Sequence, residues 1–179
     1  MNNHFSVRPD TDISSLARAA RSRLASDSGQ SAVRCLPLAD SASPLDTASV
    51  LLVADGRCPQ IRQLLAKADA TVLWLWGTNH PFDVISQELV RRRDHGQPVD
   101  ALHWISHGSA GQLHVGDHTI NSQSLIDRQQ QLSLWNLEDL LLWSCSTAAD
   151  QTFISLLEEF SGAKVWATHR ALGLSLIHI

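Results

Sequence analysis

Short apolar runs alternate with amphipathic segments along most of the chain. Five apolar runs predict β-strands, and in chain order they span Ser49 to Ala54, Thr71 to Trp76, Ala101 to Ser106, Asp139 to Ser144 and Ala163 to Thr168. Intervening segments with apolar residues at helical spacing predict helices over Cys58 to Ala68, Pro81 to Arg93, Ser122 to Leu132 and Ala148 to Phe160. Strands that are apolar on both faces and separated by helices favour a mostly parallel sheet covered on both sides. We therefore predict an α/β fold with a three-layer, doubly wound sheet.

The rest of the chain divides into an insertion, an arm and a tail. Gln112 to Asn121 alternates around Gly116-Asp117, which predicts a small β-hairpin inserted between strands three and four. Residues 1–46 are rich in Ser, Ala, Asp and Arg, and only Ile13 to Ala25 has helical potential, so we expect a flexible N-terminal arm. The α/β domain is expected over residues 47–173. Residues 174–179 look like a translated sequencing adapter at a truncated end.

Composition and charge argue against several classes of function. The 179 residues suit one α/β domain, and a formal net charge of -4 gives no general attraction for nucleic acid or anionic membranes. The run Arg91-Arg92-Arg93 is interpreted as the solvated face of a helix rather than a phosphate site. The N-terminus lacks the pattern of a secretory signal peptide, and no apolar run approaches the about 20 residues that span a bilayer. A soluble compartment and export without such a signal both stay open.

The three cysteines and six tryptophans are interpreted mainly as packing residues. Cys35, Cys58 and Cys145 have neither the spacing of a zinc site nor that of a disulfide framework, and we expect Cys35 and Cys58 to be structural. The tryptophans mostly occupy predicted strands, where packing explains them better than a platform for sugars or bases.

Polar residues follow three of the predicted strands at their carboxyl ends, where ligands gather in open α/β sheets. Asp55 follows the first strand, His107 the third and Cys145 the fourth. The third and fourth strands are expected neighbours, which would bring a thiol and an imidazole together. An imidazole within hydrogen-bond reach turns a thiol into a nucleophile. The backbone N–H groups of Gly108 and Cys145 could then bind a developing oxyanion.

Each of these residues also has a simpler interpretation. Cys145 could be a buried structural thiol, since free cysteine is among the most buried residue types. Asp55 could orient His107, line a pocket for a basic substrate residue, or simply form a turn before Gly56. Arg57 could bind an acidic side chain of a substrate, but a solvated arginine is the more common case.

A metal site is a further alternative that the histidines raise. Four imidazoles could lie near one site, those of His103, His107, His114 and His118. His103 lies deeper along the third strand than His107, however, and is better explained as a packed core residue. We therefore predict no metal and no cofactor.

The segments ALHWISHGSAGQLHVGDHTIN and LLLWSCSTAADQTFISLLEEFSGAKVWAT resemble a bacterial domain family of uncharacterised function. That family is usually found near the front of very large surface, adhesin-like or calcium-repeat proteins, and it is related to the caspase-like CHAT peptidases. The shared pattern is an apolar strand ending in Ser-His-Gly, a glycine-containing hairpin, an apolar strand ending in Cys, and a helix and strand similar to TGA-x-V-x-A-S. The matching positions are Ser106-His107-Gly108, Gly111 to Gly116, Cys145, and Ser161-Gly162-Ala163 into Val165 and Ala167.

The resemblance implies a caspase-like fold over about Ser49 to Gly173, with His107 as general base and Cys145 as nucleophile. This chain departs from the family pattern at one motif, where it has Ser144-Cys145-Ser146-Thr147 and many members have Gly-Cys. The motif of this chain is closer to the Ser-Ala-Cys-x-Thr pattern of CHAT peptidases. The implied function is a cysteine-peptidase-like domain that processes or anchors a larger exported or cell-surface protein. Its partners would be a peptide or protein substrate and downstream repeats of the same chain. The alternative is a non-catalytic recognition or structural module of such a protein.

Overall fold

The computed structural model of the chain describes residues 50–66, 71–77 and 79–172. Its strands are β1 (Val50–Asp55), β2 (Val72–Leu75), β3 (Ala101–Ile105), β4 (His107–Ser109), β5 (Gln112–Val115), β6 (His118–Ile120), β7 (Asp139–Trp143) and β8 (Lys164–Trp166). Its helices are α1 (Pro59–Leu65), α2 (Pro81–Asp94), α3 (Ser122–Asp127), α4 (Gln129–Leu132) and α5 (Gln151–Ser161), with a 3₁₀ turn at Thr147–Ala149. The predicted arm, Cys35 and the predicted tail scar lie outside the described residues.

The five predicted strands form one sheet, in the order β2-β1-β3-β7-β8. Every strand pairing in it is parallel, so the predicted parallel sheet is confirmed for the described residues. Parallel neighbours present their carboxyl ends at the same edge. Residues that follow β1, β3 and β7 are therefore collected along one edge of the sheet, with β3 in the middle.

Helices pack on both faces of this sheet, because the strands are apolar on both sides. The larger cluster joins α2 and α5 to one face through buried residues that include Phe82, Ile85, Phe153, Val53 and Trp104. On the other face a smaller cluster joins Ile61 and Leu65 of α1 to Ala54, Cys58 and Ile105. The apolar residues at helical spacing in α2, Phe82, Ile85 and Leu89, are all buried.

A second sheet of three strands, β4-β5-β6, lies between β3 and β7 in the chain. Its strands are antiparallel, with His107 opposite His114 and Val115 opposite His118. Gly116, at φ +57°, turns the chain between β5 and β6. The sequence pattern did not predict β4, which begins at His107 only one residue after β3 ends.

Several boundaries differ from the pattern-based expectations. Helix α1 buries Ile61 and Leu65, whereas Leu64, which shares the helical spacing of the apolar residues, is 39% exposed. The segment predicted to begin at Ser122 is capped instead by Asn121, whose side chain accepts from the backbone of Ser124. It is divided into α3 and α4 rather than forming one helix.

The start of the next helix is also later than expected. Asp150 caps α5 by accepting from Thr152 N–H, and residues 147–149 form a 3₁₀ turn in place of the first predicted helical turn. The end of α5 is as predicted, because Gly162 adopts the left-handed conformation at φ +69°.

Two of the three arginines in the basic run of α2 are paired with one glutamate of the same helix. Glu88 accepts two hydrogen bonds from Arg91 and one from Arg92, at 2.7–2.8 Å. These hydrogen bonds, led by that of Arg91, lower the pKa of Glu88 to about 2. Arg93 lies 3.5 Å from the Leu134 carbonyl oxygen. None of the described helices combines the length and apolar character needed to cross a membrane.

Candidate active site at the carboxyl edge of the sheet

His107 and Cys145 follow two strands that are direct neighbours. The parallel ladder pairs Ile105 of β3 with Trp143 of β7, and each site residue comes two positions later. The pairing extends one residue further, because Ser106 N–H donates to the Trp143 carbonyl oxygen at 3.3 Å. The predicted adjacency of these strands is confirmed, and paired strands lie about 4.8 Å apart. Both residues thus occupy equivalent positions at the carboxyl edge.

Hydroxyl groups hold the turn that carries Cys145. Ser144 and Thr147 are both fully buried, and their hydroxyl oxygens lie 2.5 Å apart. Ser146 adopts a left-handed backbone at φ +55°, and its N–H donates to the Arg170 carbonyl oxygen. The serine before Cys145 and the threonine two residues after it therefore bond to each other and fix the turn.

The thiol of Cys145 is only partly buried. It lies 3.8 Å from the Leu172 carbonyl oxygen. Within the described segments, the backbone N–H of Cys145 donates no hydrogen bond to another backbone group.

Gly108 fits its position because it has no side chain. An added Cβ atom would lie 2.7 Å from Thr147 Oγ1, 2.8 Å from Ser144 Cβ and 3.0 Å from the Gln112 carbonyl oxygen. Strand β4 is thereby pressed against the turn that carries Cys145. The Ser-His-Gly motif and the cysteine turn are therefore one packed unit.

The imidazole of His107 contacts a different cysteine from the one that the sequence suggested. Its Nε2 atom lies 3.2 Å from Sγ of Cys58, and no hydrogen bond joins His107 to Cys145 among the described residues. Cys58 immediately precedes α1 and is 6% exposed, whereas His107 is exposed. The expectation that Cys58 is merely a structural residue of the first helix omitted this contact.

Of the candidate pocket residues, Asp55 is the last residue of β1 rather than the residue after it, and Arg57 lies in the loop that follows. Asp55 is 5% exposed, and its carboxylate accepts the backbone N–H of Arg57 at 2.9 Å, as a turn-forming aspartate does. The Arg57 side chain crosses the backbones of Gly77 and Gly116 and forms an ion pair with Asp117 at the tip of the β5–β6 hairpin. Arg57 therefore connects the loop to the hairpin.

The other histidines are held by their own neighbours. His103 is 1% exposed and accepts a hydrogen bond from Trp143 Nε1 at 3.2 Å, as expected of a core residue. His114 bonds Ser109 and Thr119. The ring centroids of His80 and His118 lie 5.3 Å apart with the ring planes tilted by 58°, and the pKa of His80 is lowered by burial and by nearby Arg128 and His118. The described residues contain no group of three potential metal ligands.

Two of the six tryptophans lie in the core and three more are partly buried against it, so packing explains most of them, as predicted. Trp104 is fully buried and Trp135 is 2% exposed, and the Nε1–H of Trp135 donates to Ser86 at 2.7 Å. Trp166 Nε1–H donates to the Asp139 carboxylate. Trp76 differs: it is 52% exposed and lies against Gly56.

Cys58 is the site residue that sequence reasoning missed, although a signal for it was present. It lies three positions after the last residue of β1, which pairs with β3. The rule that ligands and reactive groups gather at carboxyl ends of strands applies to this loop as it does to the loops after β3 and β7. Placing Cys58 within a helix hid that connection.

Comparison with known proteins identifies the family. A family model described as a domain of unknown function, DUF4347, matches residues 51–176, which include every residue of the candidate site. Searches of curated proteins and of solved structures found no match. The match spans well over half of the sequence, from β1 through β8 and beyond, and the chain therefore belongs to the DUF4347 family.

Proposed function

We propose that this domain is a cysteine-peptidase-like unit in which Cys145 is the nucleophile and His107 the general base. The observation that carries the proposal is the register of β3 and β7, which gives the two residues equivalent positions past neighbouring strands. The strand order, with helices on both faces, is consistent with a three-layer, caspase-like arrangement. Relationship to the CHAT peptidases and a place in a larger bacterial surface protein belong to the same proposal.

The proposed reaction is hydrolysis or transfer at an acyl group of a peptide or related compound. His107 takes the proton of the Cys145 thiol, and the thiolate attacks the carbonyl carbon to form a tetrahedral oxyanion. The N–H groups of Gly108 and Cys145 would bind that oxyanion. His107 then returns the proton to the leaving amine, and water, deprotonated by His107, hydrolyses the thioester.

Side-chain rotation is part of this proposal. The Cys145 thiol lies near the Leu172 carbonyl oxygen, so a change in its χ1 angle must bring it toward His107 before proton transfer. Contacts of this kind commonly tighten only when substrate is bound. The 3.8 Å separation from Leu172 represents a weak restraint on that rotation.

Substrate recognition would involve the loop after β1. Arg57 is the proposed contact for an acidic group, and its side chain is 46% exposed. A substrate carboxylate would have to compete with Asp117, whose side chain is 72% exposed and free to move away. Asp55 supports this loop through the Arg57 backbone and is better suited to shaping the pocket than to binding substrate.

The test is the rate at which Cys145 reacts with iodoacetamide or an acyloxymethylketone, measured on the full chain with Cys35 replaced by serine. We expect Cys145→Ala to abolish labelling at this position and His107→Gln to slow it by about 10²-fold, the low end of general-base effects. His114→Gln is the matched control, because His114 lies opposite His107 on β5 and should not affect the rate. A rate unchanged in His107→Gln would refute the dyad.

A non-catalytic module is the second candidate, and one observation favours it. The hydrogen bond of His107 is made to Cys58 rather than to Cys145. A domain that served only for recognition or anchoring would keep such a contact for stability. It would be indicated by a Cys145 thiol that reacts no faster than N-acetylcysteine amide at the same pH.

A further inference from the structure

The contact between Cys58 and His107 joins the loop after β1 to the residue that follows β3. Sγ of Cys58 lies 3.2 Å from Nε2 of His107 and 3.1 Å from Oε1 of Gln60. Both separations are short for hydrogen bonds to sulfur. The thiol therefore has two polar partners, although it sits in an apolar cluster with Ile61, Leu65 and Ile105.

The donor and acceptor capacities of the three groups fix the direction of both hydrogen bonds. A carbonyl oxygen of a glutamine side chain only accepts, so the Cys58 S–H group donates to Gln60 Oε1. The single thiol proton is then used, and the sulfur can only accept from His107. In the neutral imidazole the proton must therefore reside on Nε2, which leaves Nδ1 without a proton.

The free nitrogen is the one that a general base needs. Nδ1 of His107 has no hydrogen-bond partner in the described part of the chain, and the side chain is exposed. Nδ1 is thus free to accept a proton, while Nε2 is occupied by the buried Cys58. We propose that Cys58 is a positioning residue that holds His107 in the Nε2–H tautomer and leaves Nδ1 as the base for Cys145; this inference rests on the proposed function.

Burial distinguishes a positioning role from that of a second nucleophile. Cys58 is 6% exposed and lies under α1, whereas Cys145 is only partly buried. A nucleophilic sulfur must reach a substrate carbonyl carbon, which the surroundings of Cys58 do not allow. Cys58 acts through His107 instead, as the carboxylate or carbonyl oxygen partners of catalytic histidines do in other enzymes.

The first measurement determines which ring nitrogen of His107 carries the proton, from the ¹⁵N chemical shifts of the imidazole in the full chain. His107→Gln identifies the signals that belong to this residue. We expect the Nε2–H tautomer in the wild type and a mixture of tautomers in Cys58→Ala. Cys58→Ser, whose hydroxyl can also donate to Gln60 and accept from His107, should restore the wild-type tautomer. An Nδ1–H tautomer in the wild type, or one unchanged in Cys58→Ala, overturns the assignment.

The second measurement is the rate of Cys145 alkylation by iodoacetamide as a function of pH, with Cys35 replaced by serine. We expect Cys58→Ala to slow Cys145 about tenfold near neutral pH, of the order expected for loss of one orienting hydrogen bond. Cys58→Ser should recover most of that loss. Ile61→Val is the packing control, because it perturbs the same cluster without touching His107 and should leave the rate unchanged.

Peptide mapping of the alkylated protein separates the remaining outcomes. Fast labelling of Cys58 that survives Cys145→Ala would make Cys58 the nucleophile and overturn the positioning role. A wild-type Cys145 that reacts no faster than a free thiol would overturn the proposed function. The tautomer measurement still decides the role of Cys58 in that case, since it does not depend on the reactivity of Cys145.

Discussion

Gly108 offers a direct test of how β4 is packed against the turn that carries Cys145. In Gly108→Ala the new Cβ atom would meet Thr147 Oγ1 at 2.7 Å and Ser144 Cβ at 2.8 Å. Those two side chains are buried and bonded to each other, so they have little freedom to move apart. Overpacking of this kind costs about 1–3 kcal/mol, and contacts this short favour the upper part of that range. The lower entropy of the unfolded alanine chain offsets about 0.4–1 kcal/mol.

The net expectation is therefore a loss of about 2 kcal/mol in the free energy of unfolding, measured by urea denaturation with an unchanged m-value. Gly96→Ala is the matched control, because its Cβ would meet nothing within 4 Å although its φ is +71°. It should cost about 1 kcal/mol through backbone strain alone. Gly108→Ala should also slow alkylation of Cys145, whereas Gly96→Ala should not. A Gly108→Ala protein as stable as the wild type would refute this account of the packing.

Three further perturbations test other parts of the structure. Glu88→Gln should lower the free energy of unfolding by about 0.5–1 kcal/mol at pH 7. Because hydrogen bonds led by that of Arg91 lower the Glu88 pKa to about 2, this stabilisation is complete above pH 4.5 and is lost as the pH falls toward 2. A difference in stability between the mutant and the wild type that persists at pH 2 would contradict it. Phe153→Ala should lower the free energy of unfolding, measured by urea denaturation, by about 3–5 kcal/mol, because the ring is fully buried in the larger cluster. A decrease of less than about 1 kcal/mol would contradict that placement. Ser144→Ala should lower the free energy of unfolding by about 0.5–1.5 kcal/mol through loss of its hydrogen bond to Thr147, whose hydroxyl keeps the Cys145 carbonyl oxygen as a partner at 3.4 Å. The double variant with Thr147→Val should cost less than the sum of the two single changes, and additive costs would exclude the proposed coupling.

The parallel sheet was predictable because each of its strands is marked in the sequence by a short apolar run. Runs such as that of β7 are apolar on both faces, and only a sheet covered by helices on both sides satisfies such a pattern. The adjacency of β3 and β7 followed from the rule that successive strands of a sheet are usually neighbours, in spite of the insertion between them. The positions of His107 and Cys145 at the carboxyl edge were therefore predictable to within a residue.

The local details depend on side chains that are distant in sequence. Asn121 rather than Ser122 caps α3, because the Asn121 side chain and Ser124 form a reciprocal pair of hydrogen bonds. Asparagine and serine are both common caps, so residue type alone did not decide between them. Strand β4 has only three residues and gains its conformation from pairing with β5, so no periodicity could reveal it. The partner of His107 is 49 residues away in the chain, and only the β1–β3 pairing brings the two side chains together.

The order of the central strands gives His107 a cysteine on either side, and this arrangement constrains how the imidazole can work. The loop after β1 supplies Cys58, and the turn after β7 supplies Cys145, with β3 between them. One imidazole cannot take a proton from a thiol through the same nitrogen that already donates to another sulfur. In the proposed mechanism the two nitrogens therefore divide their roles, with Nε2 bonded to Cys58 and Nδ1 left as the base. Burial favours Cys58 as the positioning residue and the partly exposed Cys145 as the proposed nucleophile.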